Sequence, residues 1–171
     1  MKSKIYSQYK NQKNRDKNNC QNQFDDKFHC IISIQCRKGL EVINMAGYKG
    51  NLEKDTIANT FFRHVIFTAP HSQLVLMCLK PGEEIGMEVH PDNDQFLRFE
   101  EGDWQAIISY EKFEGSSGDC VIVPAGNYHN IINASKEKEL KLYTIYSPAH
   151  HPDGTIHKTK EEAMQAEKDE K

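Results

Sequence analysis

Between Phe61 and Ser147 the chain is a succession of short runs, four to nine residues long, rich in β-branched and aromatic residues and separated by turn residues. Runs of that length suit strands better than helices, and regular turn signals between them are the pattern of antiparallel sandwiches and barrels. The spacing predicts strands at Phe62–Thr68, Gln73–Lys80, Gly86–His90, Gln95–Glu100, Trp104–Lys112, Cys120–Val123, His129–Asn133 and Leu140–Ser147. Pro70-His71-Ser72, Pro81-Gly82, Pro91-Asp92-Asn93-Asp94, Gly115-Ser116-Ser117-Gly118 and Pro124-Ala125-Gly126 supply the turns. Two stretches read as helical. Asn51–Asn59 offers one turn ahead of the strands. Thr159 followed by Glu162 forms a capping-box pair before Lys160–Lys168, whose thin apolar content predicts a helix that frays on the surface.

The 171 residues amount to one domain with an extension. No run reaches the 18 apolar residues of a membrane span. Residues 1–19 are polar, without the apolar segment of a secretory signal. A net charge of −3 argues against nucleic acid as the main partner. Five cysteines without paired spacing suit free thiols in a reducing cytoplasm.

The charge is divided unevenly. Residues 1–44 carry nine Lys or Arg against four Asp or Glu, a balance of +5, and the remainder is −8. Residues 1–27 lack the apolar content to bury themselves and read as disordered. Phe28–Cys36 is a lone strand candidate. Cys20, Cys30, Cys36 and His29 lie in this part but form no CxxC pair, so they are read as incidental thiols rather than a zinc site. Glu41-Val42 back-translates to GAGGT shortly before the Met45 codon, where a bacterial gene places its ribosome-binding element. Residues 1–44 are therefore either a mis-called upstream extension or a natural disordered arm.

Two glycine-bounded segments carry the chemistry. In the first, Gly82 to Gly102, Glu88 and His90 stand two apart on a predicted strand and share a face. Pro91–Asp94 then turns the chain so that Gln95 returns beside them. In the second, Gly118 to Asn133, His129 follows the Pro124–Gly126 corner.

These segments resemble the two signature motifs of the cupin superfamily. The first family motif, G-x5-H-x-H-x3-4-E-x6-G, keeps its spacing at Gly82, Glu88, His90, Gln95 and Gly102. The second, G-x5-P-x-G-x2-H-x3-N, matches at Gly118, Pro124, Gly126, His129 and Asn133, with fifteen residues between Gly102 and Gly118. The resemblance implies an all-β double-stranded β-helix, or jelly-roll barrel. Here it would span 45–158, between the extension 1–44 and a C-terminal helix and tail 159–171. It also implies one divalent transition metal held by Glu88, His90, Gln95 and His129. Two positions depart from the family pattern, with Glu88 for the first His and Gln95 for the acid. One carboxylate is still present, moved from the second strand to the first. Such a set suits Mn, Fe, Ni, Zn or Co, and the loss of one imidazole leaves a metal-free protein as the alternative.

Beyond that set, Glu84, Tyr143 and Tyr146 are the candidates for moving a proton, the two tyrosines standing on opposite faces of one strand. His150, His151 and His157 belong to a loop that caps the barrel or a neighbour. Cys78 and Cys120 are expected to be buried, and Trp104 to pack at a strand start. The ending resembles that of a bacterial single-domain cupin group labelled mannose-6-phosphate-isomerase-like. Three functions stay open: a metal-dependent isomerase or lyase on a small sugar or sugar acid, an Fe(II) dioxygenase, and a non-catalytic binder of a small polar metabolite. A phosphorylated substrate would call for Arg or Lys in the pocket, and Arg98 is the strand arginine of the motif region. A homodimer through edge strands is the expected assembly.

Overall fold

The structure is a computed structural model that describes residues 47–169. The reading of residues 1–44, with their three cysteines and His29, lies outside the described residues. The elements run α1 (Leu52–Ala58), β1 (Arg63–Ala69), β2 (Ser72–Leu79), β3 (Asp94–Glu101), β4 (Trp104–Ile108), β5 (Glu111–Gly115), β6 (Cys120–Val123), β7 (His129–Asn133), β8 (Leu140–Ser147), β9 (Ile156–His157) and α2 (Lys160–Asp169). The strands form two antiparallel sheets, one ordered β6-β3-β8-β2-β1-β9 and the other β5-β4-β7.

Alternation decides what lies between the sheets. Across β2, β8 and β3 the inward side chains form rows fixed by the strand registers. One row is Met77, Leu142 and Phe99, the next Val75, Thr144 and Leu97, and the last Gln73, Tyr146 and Gln95. The sheet face thus changes from apolar to polar along its length. At the apolar end Phe99 stacks on Trp104 of the facing sheet, ring centroids 4.3 Å apart, within a cluster that includes Ala106 and Ile131. At the polar end the barrel carries its hydrogen-bonding side chains. Gly102 closes the β3–β4 turn with φ +96°, and a Cβ there would lie 2.8 Å from the Glu139 carbonyl oxygen.

Several expectations need correction. Gly86–His90 is not a ladder strand; the chain touches β7 here through two isolated bridges, Glu84 to Ile132 just before the segment and Glu88 to His129 within it. The register slips by one residue between them at Gly86, whose φ is +111° and whose N–H donates to the Asn130 side chain. Trp104–Lys112 is two strands, β4 and β5. The turn falls at Ser109, φ +56°, whose hydroxyl bonds Asn127, and no Gly or Pro marks it.

The terminal helix docks rather than frays. Thr159 Oγ1 accepts from Glu162 N, Glu162 reaches back to Lys158 N, and Ala163 joins the core cluster. Asn51 caps α1 through Lys54 N.

Cys78 is buried as expected, but Cys120 is exposed because its place on β6 points away from the core. Lys141 Nζ donates to the Cys78 sulfur (3.2 Å) and to the Asn59 carbonyl (2.7 Å). Burial pushes the Cys78 thiol up, against the opposing influence of Lys141. In native buffer, iodoacetamide is therefore expected to label Cys120 within minutes and Cys78 only after denaturation. Peptide-resolved mass spectrometry reads the difference, and equal labelling would contradict this packing. Cys120→Ala should change stability by no more than about 0.5 kcal/mol.

Candidate metal centre

Glu88 and His129 exchange both backbone hydrogen bonds, each 2.9 Å, so they are a directly opposed antiparallel pair. Opposed side chains fall on the same face, close together. His90 is fixed two residues on, where its carbonyl accepts from Gly126 N (2.8 Å) at the corner leading into β7. The outcome is a convergent group. Glu88 Oε1 lies 3.2 Å from His90 Nε2 and 3.2 Å from His129 Nε2, and one donor atom from each residue lies within 4.8 Å of the others. Three ligands about 2.1 Å from one ion at angles of 90–109° stand about 3.0–3.4 Å apart, so the spacing suits a transition metal.

The hydrogen bonding points the same way. His129 Nδ1 lies 3.1 Å from the Asn127 carbonyl. A carbonyl only accepts, so Nδ1 carries the proton and Nε2 turns a lone pair toward the Glu88 carboxylate. Two acceptors that close need a proton or a cation between them. Fixing the second ring nitrogen on a backbone carbonyl is also how ligating histidines are oriented. Burial pushes the Glu88 carboxyl up, but with a proton on each facing Nε2 the hydrogen bonds from His129 and His90 outweigh it and hold the carboxyl well below its usual range. The negative charge is therefore kept.

Gln95 is fully buried in the polar row, and neither its Oε1 nor its Nε2 has a partner among the described residues. A buried amide with no partner costs about 1–3 kcal/mol, so such a side chain points to a group that occupies it. Its row neighbour Tyr146 sets its ring against His90 at 5.4 Å. Glu88, His90 and His129 therefore fit a divalent ion with imidazole and carboxylate donors.

The loop after β8 closes this end. Asn93 Nδ2 donates to the carbonyls of Pro148 and Ala149, and Gln73 Oε1 accepts from the backbone N–H of His150 and His151. These clamps lay the His150 ring 4.1 Å from His90 and stack it on Tyr146 at 5.3 Å. Burial, and then the neighbouring His90, lower the His150 pKa to about 4, so its ring is neutral at pH 7. Burial likewise pushes the Tyr146 phenol up.

Of the proton-transfer candidates, Tyr146 is inside. Tyr143 is on the outer face against Phe96 and does not reach this end, because it sits at odd spacing from Tyr146 on β8. Glu84 is exposed and accepts from Asn130 Nδ2 (2.7 Å), on the lip of a cleft of about 340 Å³ that reaches Glu88. Arg98 is half exposed and faces outward beside Glu100. Alongside Lys160 of α2, the buried Arg63 on β1 lines the same cleft. A search confined to the motif region misses it; its signal was the alternation of Arg63 with the buried Val65.

A small two-sheet barrel, closed by an apolar cluster at one end and carrying inward-facing His and Glu at the other, is the class of protein defined here. The family model for the cupin domain matches residues 75–146, and the chain belongs to the cupin family. "Uncharacterized protein L612" of Acanthamoeba polyphaga mimivirus is 50% identical over 112 residues, 64% of this chain and 70% of that protein. "Uncharacterized protein YrkC" of Bacillus subtilis is 43% identical over 125 residues, 68% of this chain and 66% of that protein. The crystal structure of BH2720 from Bacillus halodurans superposes with a TM-score of 0.69 at 38% identity, covering 72% of this chain and 97% of that one. These names carry no activity, so the functional argument rests on the site.

Proposed function

We propose that this cupin holds one divalent transition metal through Glu88, His90 and His129, with the Gln95 amide oxygen completing the set, and uses it to bind or transform a small polar metabolite. The observation that carries the reading is the 3.2 Å approach of both imidazole Nε2 atoms to one Glu88 oxygen. When bound, such an ion supplies Lewis-acid polarisation of a carbonyl or hydroxyl, the chemistry of a sugar or sugar-acid isomerase. The chain's own residues supply the surroundings. Tyr146 and His150 present a neutral phenol and a neutral imidazole against His90, and the post-β8 loop excludes water from that wall. The cleft lined by Glu84, Met87 and Glu88 supports entry of a ligand from the α2 side.

Elemental analysis of the full chain purified without added metal tests the reading. About one equivalent of Mn, Fe, Co, Ni or Zn is expected. A metal-free protein that also takes up none of these ions on titration would sink it. A second reading, an Fe(II) dioxygenase, draws support from the two-His, one-carboxylate count. Oxygen consumption by the Fe(II)-loaded protein with substrate separates it from an isomerase.

Gln95→Glu probes the fourth donor. The variant is expected to bind Mn(II) about tenfold more tightly by calorimetry, about 1.4 kcal/mol. Without metal it should melt below the wild type, because two carboxylates then share one buried site. Added Mn(II) should reverse that loss.

A further inference from the structure

Arg63 poses a problem that the metal centre does not answer. It is 4% exposed, on the inward face of β1, two residues before the core residue Val65. A buried guanidinium without a counter-charge costs several kcal/mol. The structure supplies one partner from far along the chain, Glu167 of α2, whose Oε1 accepts from Arg63 Nη2 at 3.0 Å. That pairing uses a single donor. The Nε–H is buried with no partner among the described residues, and the Phe62 ring lies 6.0 Å from the guanidinium carbon. Arginine meets a carboxylate best through two parallel N–H···O bonds, so Arg63 has an unused half of its fork.

Its position gives that half a use. Arg63, Lys160 and Glu167 line the cleft whose other wall includes Glu88 of the metal centre. The Glu167 side chain is 51% exposed, on a helix with one buried residue, Ala163. A half-solvated carboxylate returns to water at small cost once another carboxylate takes its place on Arg63. A ligand lying in the cleft would put one end at Arg63 and Lys160 and the other at Glu88.

We propose that Arg63 anchors the carboxylate of a small-molecule ligand, and that Glu167 is a built-in carboxylate that occupies this place until the ligand displaces it. The ligand class is a hydroxy- or oxo-carboxylate, sugar acids included, with its acid group on Arg63 and its oxygen-bearing carbon toward Glu88. This rests on the reading of Glu88, His90 and His129 as a metal centre, which defines the ligand's second end.

Calorimetry on the full, metal-loaded chain tests it. The probes are glycolate, lactate and glucuronate, each beside its neutral counterpart (ethylene glycol, 1,2-propanediol and glucose), with glucose 6-phosphate added. At least one carboxylate is expected to bind about tenfold more tightly than its neutral counterpart. Glu167→Gln removes the internal competitor and should strengthen that carboxylate about a further tenfold, with metal content unchanged. Arg63→Gln should abolish the preference. Should Arg63→Gln fail to fold, the Glu167→Gln comparison decides the matter. The proposal is overturned if no carboxylate outbinds its neutral partner in either the wild type or Glu167→Gln. Tighter binding of glucose 6-phosphate than of glucuronate would also overturn it, because the site would then be a phosphate site. Metal retained without carboxylate preference defeats this proposal alone. Carboxylate preference that survives in a protein unable to bind metal defeats the metal reading and leaves Arg63 standing.

Discussion

Replacing His129 with Ala is expected to weaken divalent-metal binding by about 100-fold or more while the barrel stays folded. The reasoning starts from the two sides of the site. Glu88 and His129 are joined by a pair of backbone hydrogen bonds that the substitution leaves in place. Glu88 therefore keeps its position and loses one of the two imidazoles that face its Oε1 at 3.2 Å. Loss of a group that merely orients a ligand costs about 10–100-fold in affinity, so loss of a ligand should cost more. The apolar cluster of Phe99, Trp104, Leu97, Leu142 and Ile131 does not depend on this imidazole for its packing. Elemental analysis and calorimetry measure the first effect, and far-ultraviolet circular dichroism the second. His90→Ala should behave alike. Glu88→Gln, which keeps the shape and removes the charge, should also lose metal. Equal metal content in the wild type and His129→Ala would defeat the assignment of the site.

Asn133→Ala is expected to produce the opposite pattern, a large loss of stability with metal affinity nearly intact in the fraction that folds. Asn133 is the last motif residue and shares the inward face of β7 with His129, yet it lies four residues further along, opposite Trp104 at the end away from the metal group. Its Nδ2 donates to the carbonyls of Leu79 (3.1 Å), Lys80 (2.9 Å) and Lys138 (2.8 Å), and its Oδ1 accepts from Ser135 N (3.0 Å). One side chain thus ties together the end of β2, the end of β7 and the connection to β8. Truncation leaves several buried backbone groups without partners, at a cost of about 2–4 kcal/mol. For a domain of this size that corresponds to a drop in melting temperature of order 10 °C. Urea denaturation measures it. Asn133→Asp, equal in shape but with acceptors facing carbonyls, should be at least as damaging. A variant that melts with the wild type and loses metal would reverse the roles assigned to Asn133 and His129.

The fold was legible because its signals are local. Period-two alternation and turn residues mark most strands within a residue or two, and the two glycine-bounded segments resemble the cupin motifs in their spacing alone. The misses share a cause. Ser109 turns the chain between β4 and β5 without a Gly or Pro, held by its bond to Asn127, a residue eighteen positions away. The Gly86–His90 segment fails as a strand because Gly86 gives its N–H to the Asn130 side chain and shifts the register. In both cases a partner distant in sequence decided the backbone. The strand setting of Cys120 suggests burial, but alternation says only that faces differ, not which face is covered.

The same division runs through the site. Sequence by itself determined the candidate donor types and their spacing, Glu88, His90 and Gln95 on one turn-linked pair and His129 after its Pro–Gly corner. It could not determine how they meet, because a one-residue slip turns every side chain of a strand to the other face. The opposed pairing of Glu88 with His129 is a property of the assembled sheet. Tertiary structure also chose Tyr146 over Tyr143, laid His150 on His90 through the Gln73 and Asn93 clamps, and set Arg63 against Glu167, 104 residues apart. Each of those choices rests on a long-range contact, and no local periodicity encodes which distant side chain will stand opposite.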